Sequence, residues 1–423
     1  MAAKFILFLN LAVKYRINYF HSIFKKNRRT FSAGRNMAQL IVSSKGLAWF
    51  RTGHPWIFRD DLESIQEAAH GGLAVLEKKN GEFLAQGFYS NCSKIAFRIV
   101  SRNPRPIDRN FWKQQVEKAA HFRKDRVAQT NAYRLVYGES DGLPSLIVDR
   151  YAEHFVLQTL TQGTENLLPV FTAILEELFR PSSITLRNDV AVRELEGMIP
   201  GKKMIYGECP RAVQVFEGGI HYLADLWGGQ KTGAYLDQRE NRLTAASLLR
   251  GDILDAFCYQ GLFSLHVAAQ GCRVIGVDSS PEALEHAREN ARLNGLTHMD
   301  FRKGNVFDFL KEEIEGGARF DGIILDPPAF AKSKGNLSEA SRGYKELNLR
   351  ALRLLKPGGI LITSSCSYNL SEARFLEILR DCSKDAGAQL RLIGRRGQSS
   401  DHPVILSFPE SFYLKCLILE KMS

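Results

Sequence analysis

Ile253-Leu254-Asp255-Ala256-Phe257-Cys258-Tyr259-Gln260-Gly261, followed by Arg273-Val274-Ile275-Gly276-Val277-Asp278, is the stretch from which the fold is read. Each run is a short apolar strand that ends in a turn. Ile253–Phe257 and Arg273–Asp278 read as strands, and Phe263–Ala269 between them reads as a helix. Pro281–Asn294 is a further helix, with Ser280 as its N-cap, Pro281 at the first helical position and Gly295 past its end. Strands at Ile323–Asp326 and Ile360–Ser364 flank a helix at Tyr344–Leu355. Such alternation is built from βαβ units with right-handed crossovers, so residues 228–423 are expected to form an α/β, Rossmann-like, doubly wound sheet.

Working outward, the residues before 228 divide in two. Residues 38–103 read as a small β domain with strands at Gln39–Val42, Leu73–Glu77, Phe83–Tyr89 and Ile95–Val100 and a turn at Lys79-Asn80-Gly81. Pro104 and Pro106 mark a linker. Residues 110–226 read as a linker helix, Phe111–Gln129, and an α+β central domain. Its strands are Tyr133–Tyr137, Ser145–Val148, Ser183–Leu186, Ala212–Glu217 and Gly219–Asp225, with a helix at Glu165–Phe179.

The 423 residues carry a formal charge of +11, which suggests a polyanionic partner until the charge is located. Residues 1–59 hold no acid, and residues 1–36 hold eight Lys and Arg, leaving +3 for residues 37–423. Residues 1–36 are therefore expected to be a basic leader outside the folded core. It is an upstream stretch before a start at Met37, a transit peptide or, least favoured, a secretory signal. Seven cysteines without a C-x-x-C pair argue against a disulfide framework and a zinc cluster, and favour a reducing compartment. No metal is expected. The expected location is cytoplasmic, with organellar targeting by 1–36 as the alternative. No apolar run is long enough to span a bilayer, so no membrane partner is expected.

In a doubly wound sheet, ligands bind at the carboxyl ends of the strands. After the first strand, Asp255, Phe257 and Gly261 form a loop without the G-x-G-x-x-G pattern that a dinucleotide pyrophosphate requires. Asp278 ends the second strand and is placed to accept bonds from ribose hydroxyls, although an acid here can simply open a helix. Ribose without pyrophosphate points to S-adenosylmethionine. Asn305, at the third tip, is read either as an acceptor for the adenine amino group or as a plain turn residue. The fourth strand ends in Asp326-Pro327-Pro328-Ala329-Phe330, where two prolines fix the backbone and aim Asp326 into the cleft. The fifth ends in Ser364-Ser365-Cys366-Ser367. Neighbouring strands lie about 4.8 Å apart, so the Cys366 thiol and the Asp326 carboxylate are expected to reach one planar base. Cys92, Cys272, Cys382 and Cys416 are read as small buried hydrophobes, and Cys258, beside the cofactor loop, is ambiguous.

These residues resemble the class I S-adenosylmethionine-dependent methyltransferases that act on C5 of RNA cytosine. They resemble more closely the bacterial 23S ribosomal RNA cytosine-5 methyltransferase family with an N-terminal PUA domain, over nearly all of 38–423. The first domain carries Gly53-His54-Pro55-Trp56-Ile57-Phe58, and the central one carries Gly138-Glu139-Ser140-Asp141-Gly142-Leu143-Pro144 and Tyr206-Gly207-Glu208. Gln230-Lys231-Thr232-Gly233-Ala234-Tyr235-Leu236-Asp237-Gln238-Arg239 matches the segment that enters the methyltransferase domain. Arg342-Gly343-Tyr344-Lys345, Asp401-His402-Pro403-Val404 and Tyr413-Leu414-Lys415 follow in order. The resemblance implies a PUA-like RNA-binding domain, a class I methyltransferase domain and a ribosomal RNA substrate. It implies cofactor contacts from Tyr235, Gln238 and Arg239 beside Asp255, Phe257, Gly261, Asp278, Asn305 and Asp326. Catalysis falls to Cys366 and Asp326, and substrate contacts to Pro327, Pro328, Phe330 and Lys332, with Lys334 as a further phosphate contact. Gln260, Leu262 and Asn305 depart from the family's usual Thr, Gly and Asp, and no second Cys accompanies the Asp-Pro-Pro run. The acceptor of the C5 proton stays unassigned, and a homodimer is left open. Two other readings remain: N-methylation of guanine, which needs no thiol, and an RNA-binding or assembly protein without catalysis.

Overall fold

The computed structural model describes residues 37–66, 68–330 and 337–422. The first sheet holds β1 (Ala38–Val42), β2 (Trp56–Phe58), β3 (Leu62–Gln66), β4 (Leu73–Glu77), β5 (Phe83–Tyr89) and β6 (Ile95–Ser101) in the order β2-β6-β5-β4-β1-β3. Leu40, Ile57, Leu76, Ala85 and Phe97 fill its core. The sequence reading lacked the helix Ser44–Arg51, which is only eight residues long. It starts because the Ser43 hydroxyl accepts the Gly46 N–H at 3.1 Å. Cys92, expected to be buried, is exposed in the turn between β5 and β6, where its thiol donates to Asn91 Oδ1. Cys272, Cys382 and Cys416 are buried as expected.

The second sheet holds β7 (Ala132–Tyr137), β8 (Leu146–Tyr151), β9 (His154–Thr159), β10 (Ser183–Arg187) and β11 (Lys202–Gly207) in the order β11-β10-β9-β8-β7. The helices Arg109–Lys124 and Leu168–Phe179 lay Trp112 and Phe171 on it, with the two rings edge to face at 5.7 Å. The helix expected to reach Gln129 stops at Lys124.

The hairpin of β12 (Val213–Glu217) and β13 (Ile220–Ala224) ends just before the boundary expected near 226 and packs on both sides of it. Its Val215, Ile220 and Tyr222 share one apolar cluster with Tyr151 of the second sheet and with Leu262, Leu284 and Ala287 of the third layer's helices. A buried ion group ties it there. Both Glu217 oxygens take Arg242, at 2.6 and 2.7 Å, and Oε1 also lies 3.0 Å from His266 Nε2.

The third sheet holds β14 (Asp252–Ala256), β15 (Arg273–Asp278), β16 (Met299–Lys303), β17 (Phe320–Leu325), β18 (Leu355–Ser365), β19 (Leu390–Arg396) and β20 (Lys415–Lys421). Their order is β16-β15-β14-β17-β18-β20-β19, with only β20 antiparallel to its neighbours. Alternate residues serve opposite faces, as strand geometry demands. Leu254, Ile323 and Leu361 pack with the helices Leu337–Leu354 and Glu372–Asp385, whereas Ile253, Ile324 and Ile362 pack with Phe263 and Val267. Both faces are covered, so the strands read as nearly continuous apolar runs. The chain reverses its winding between β14 and β17, which opens a crevice at their carboxyl ends.

Candidate functional site

The loop after β14 leaves the sheet through unusual backbone. Phe257, Tyr259 and Gly261 have φ of 64°, 49° and 73°. Only glycine takes such a conformation without cost, and a Cβ on Gly261 would also press on Phe301 and Ala287 at 3.0 and 3.1 Å. The close approach that Gly261 permits is thus to its own packing partners. Asp255 is buried, and its Oδ2 accepts the Ser264 hydroxyl at 2.6 Å and the Ser264 N–H at 3.0 Å. Its Oδ1 is buried with no hydrogen-bond partner among the described residues. Burial, assisted by nearby Asp326 and Asp278 and opposed by Ser264, pushes Asp255 up to about 7.

Asp278 stands at the end of β15, where it accepts the N–H groups of Tyr259 and Ser280, both at 2.9 Å. It therefore holds the β14 loop as well as facing the crevice. Asn305 caps the helix Val306–Glu315 by accepting the Phe307 N–H at 2.9 Å, which is the plainer of its two sequence readings.

Leu325 of β17 lies opposite Thr363 of β18 in a parallel pair, so Asp326 and Cys366 emerge from neighbouring strand tips. Asp326 Oδ1 accepts from Gln238 Nε2 at 2.8 Å, and burial beside Asp237 pushes its carboxyl up to about 6. The Cys366 thiol is pushed up to about 11 by burial and by Asp326, against the attraction of Lys231. Its loop is fastened on both sides of the cysteine. Ser365 Oγ donates to Tyr344 Oη at 2.9 Å, and Tyr344 Oη lies 3.1 Å from Ser367 Oγ. From the other side, Lys415 Nζ donates to the Ser367 carbonyl at 2.7 Å. Phe330 packs its ring 4.8 Å from that of Tyr344. Pro327 and Pro328 carry the chain away from Asp326. Lys332 and Lys334 lie outside the described residues.

Of the entering segment, Tyr235 hydrogen-bonds Gln230 and stands edge to face with Tyr259 at 5.4 Å. Burial and the nearby Asp326 raise its phenol. Arg239 is buried against Asp401 at 3.1 Å, a core ion pair that reaches the crevice only through its neighbour Gln238. The sequence reading gave no role to Lys231, Asp237, Tyr413 or Lys415. Lys231 Nζ sits 2.6 Å from Asp237 Oδ2, which also accepts the Tyr413 hydroxyl at 2.6 Å. All four lay within quoted motifs, but no local pattern pairs residues 176 positions apart.

The first domain meets the third layer beside this site. Trp56 packs edge to face on Phe408 at 4.8 Å and donates Nε1–H to Glu139 at 2.8 Å. His54 accepts the Trp56 N–H on Nδ1, so Nε2 is the donor that meets Glu410 at 3.0 Å. Glu410 also acts on the Tyr368 phenol, two residues past Cys366. Among the described residues no helix is long and apolar enough to cross a membrane, and no group of three or more His, Cys, Asp or Glu could hold a metal ion.

Two family models match the chain: a PUA-like domain over residues 40–102 and a methyltransferase domain over 250–401. The chain is 40% identical to ribosomal RNA large subunit methyltransferase I of Aeromonas hydrophila, covering 86% of this chain and 95% of that protein. It is 37% identical to the protein of the same name from Salmonella arizonae, covering 91% and 98%. Two solved methyltransferases share the fold at 21% identity, each covering 91% of this chain and all of the other. One, in complex with SAH, has a TM-score of 0.79, and one from Streptococcus mutans has 0.77.

Proposed function

The chain belongs to the ribosomal RNA large subunit methyltransferase I family, and from that premise we propose that it methylates C5 of a cytosine in 23S ribosomal RNA, with Cys366 as the nucleophile. It is an S-adenosylmethionine-dependent methyltransferase of large-subunit ribosomal RNA. The observation that supports the finer reading is the emergence of a thiol and a carboxyl from adjacent parallel strand tips.

The crevice suits the cofactor. Asp255 Oδ1 is a buried acceptor with no partner among the described residues, as a site for a ligand's ammonium would be. Asp278 would take the ribose, with Phe257, Gly261, Asn305, Tyr235 and Gln238 around them. When bound, S-adenosylmethionine supplies an electrophilic methyl group.

The chain's own residues would do the rest. Cytosine C5 is a poor nucleophile. Addition of the Cys366 thiolate to C6 forms the S–C6 bond and shifts the ring electrons towards N3. Asp326, a carboxyl pushed up to about 6, can deliver a proton to N3 as this happens. The ring is then an enamine, nucleophilic at C5. Once C5 carries the methyl group, N3 returns its proton to Asp326, and transfer of the C5 proton to a base that the site's residues do not identify, with expulsion of the Cys366 thiolate, restores the aromatic ring. The base must leave its stack to enter the crevice, so looped or flipped RNA is the expected substrate, held by the PUA-like domain.

Cys366→Ala tests the reading. Bisulfite mapping of 23S ribosomal RNA should show complete loss of 5-methylcytosine at the target, with cofactor binding retained. Methyl transfer that survives in Cys366→Ala would sink the C5 reading in favour of a nitrogen target on guanine. Failure of the wild type to bind S-adenosylmethionine in calorimetry would favour a non-catalytic RNA-binding protein.

A further inference from the structure

A thiol that burial pushes up to about 11 is a poor nucleophile at neutral pH unless something favours its anion. Two lysines lie near Cys366, and the structure treats them differently. Lys231 is already paired with Asp237 at 2.6 Å. Lys415 is 3% exposed and pairs with no carboxylate within ion-pair distance among the described residues. It stands at the start of β20, opposite Ser365 of β18, so the two side chains share a face of the sheet. Two of its three N–H donors are committed to the carbonyls of Ser367, at 2.7 Å, and Tyr413, at 2.9 Å. An ammonium has a third.

We propose that Lys415 is the positioning residue for Cys366: its buried ammonium fixes the loop through the Ser367 carbonyl, and its charge favours the thiolate. The inference rests on Cys366 being the reactive group of the site. Burial holds Lys415 down to about 8, while Cys366 and Glu372 pull it back up. The two groups therefore act on each other, and each favours the charged form of its partner. The other groups that bear on the pair are fixed in place. Asp326 and Asp237 oppose the thiolate, and Lys231 assists it. The phenols of Tyr344 and Tyr235 also face Cys366. An ammonium that touches the loop backbone cannot leave when RNA enters, so its charge is present at the moment of addition to C6.

The experiment is the pH dependence of iodoacetamide alkylation of Cys366 in the full chain without RNA, followed by peptide mass spectrometry. Exposed Cys92 serves as an internal control. Lys415→Met should raise the alkylation midpoint by about 1 pH unit, so that Cys366 reacts about tenfold more slowly at any pH below it. Lys415→Arg should restore most of the rate. Lys415→Gln keeps a donor without charge, so it should retain the thermal midpoint yet show the same slowed alkylation; it also stands in if the Met variant does not fold. In methyl-transfer assays the loss of kcat should be greatest below the alkylation midpoint and should shrink as pH rises towards it, with KM for RNA little changed. An alkylation midpoint in Lys415→Gln equal to that of the wild type overturns the proposal. Because the alkylation readout uses no RNA, it is independent of whether Cys366→Ala abolishes methylation.

Discussion

At the scale of single residues, the crevice is defined by carboxyls that burial has made reluctant to ionise. Asp255 is pushed up to about 7 and Asp326 up to about 6. An ammonium held by Asp255 would favour its ionised form, so binding must expel whatever proton Asp255 holds. Affinity for S-adenosylmethionine is therefore expected to weaken as pH falls through about 7, by up to about tenfold per pH unit for each proton. Calorimetry between about pH 8 and about pH 5.5 should show this, with a binding heat that depends on the buffer's ionisation enthalpy; equal affinity across that range would refute it. Asp326→Asn, which cannot give a proton to N3, should lower kcat by at least about 100-fold while the protein still folds. Measured single-turnover rates check it. Both carboxyls were legible in the sequence because each ends an apolar strand, and strand ends can be read from local pattern. Lys415 was not, since what matters about it is a carbonyl 48 positions away. Arg239 shows the opposite error of scale. Its motif suggested a lining residue, but its partner Asp401 lies 162 positions on and takes it into the core.

At the scale of elements, the short strand β2 does more than pair with β6. Its Trp56 couples the first domain to Glu139 and Phe408. Trp56→Ala removes one hydrogen bond and two ring contacts, to Phe408 and His54, from a half-buried position, and should destabilise the protein by about 2–3 kcal/mol in guanidinium unfolding. Cofactor affinity should be unchanged, and methylation of ribosomal RNA should fall. Equal losses in both would show that Trp56 merely supports the fold. The strands β14, β15, β17 and β18 of the third sheet were foreseen from the alternation of strands with helices, and β16 only by its tip at Asn305. C-terminal strands were expected only from the family resemblance, without bounds or pairing, because β20 runs antiparallel between β18 and β19, and a pairing of that separation leaves no periodic trace.

At the scale of the whole molecule, the hairpin β12–β13 joins the central and third layers, and Glu217 is its fastening. Burial alone would raise the Glu217 carboxyl, but Arg242 and His266 overcome it and hold it down at about 2, below its ordinary 4.5. A lowered acid gives stability that is fully present above its unfolded value and is lost as pH falls. Glu217→Gln leaves Arg242 buried without its counter-charge and should cost about 3 kcal/mol near neutral pH. The gap between variant and wild type in urea unfolding should shrink as pH falls from about 4.5 towards about 2; a gap independent of pH would show that the charge is irrelevant. The insertion of β20 between β18 and β19 has a bearing on time as well as space. The thiol, the carboxyl and the cofactor loop are all translated before residue 367, yet the cysteine's loop is fastened by a residue of the strand that ends at Lys421. A nascent chain thus carries Asp326 and Cys366 before the strand that fastens the cysteine's loop has been made, and a premature stop just ahead of that strand would leave both reacting groups in a protein without Lys415.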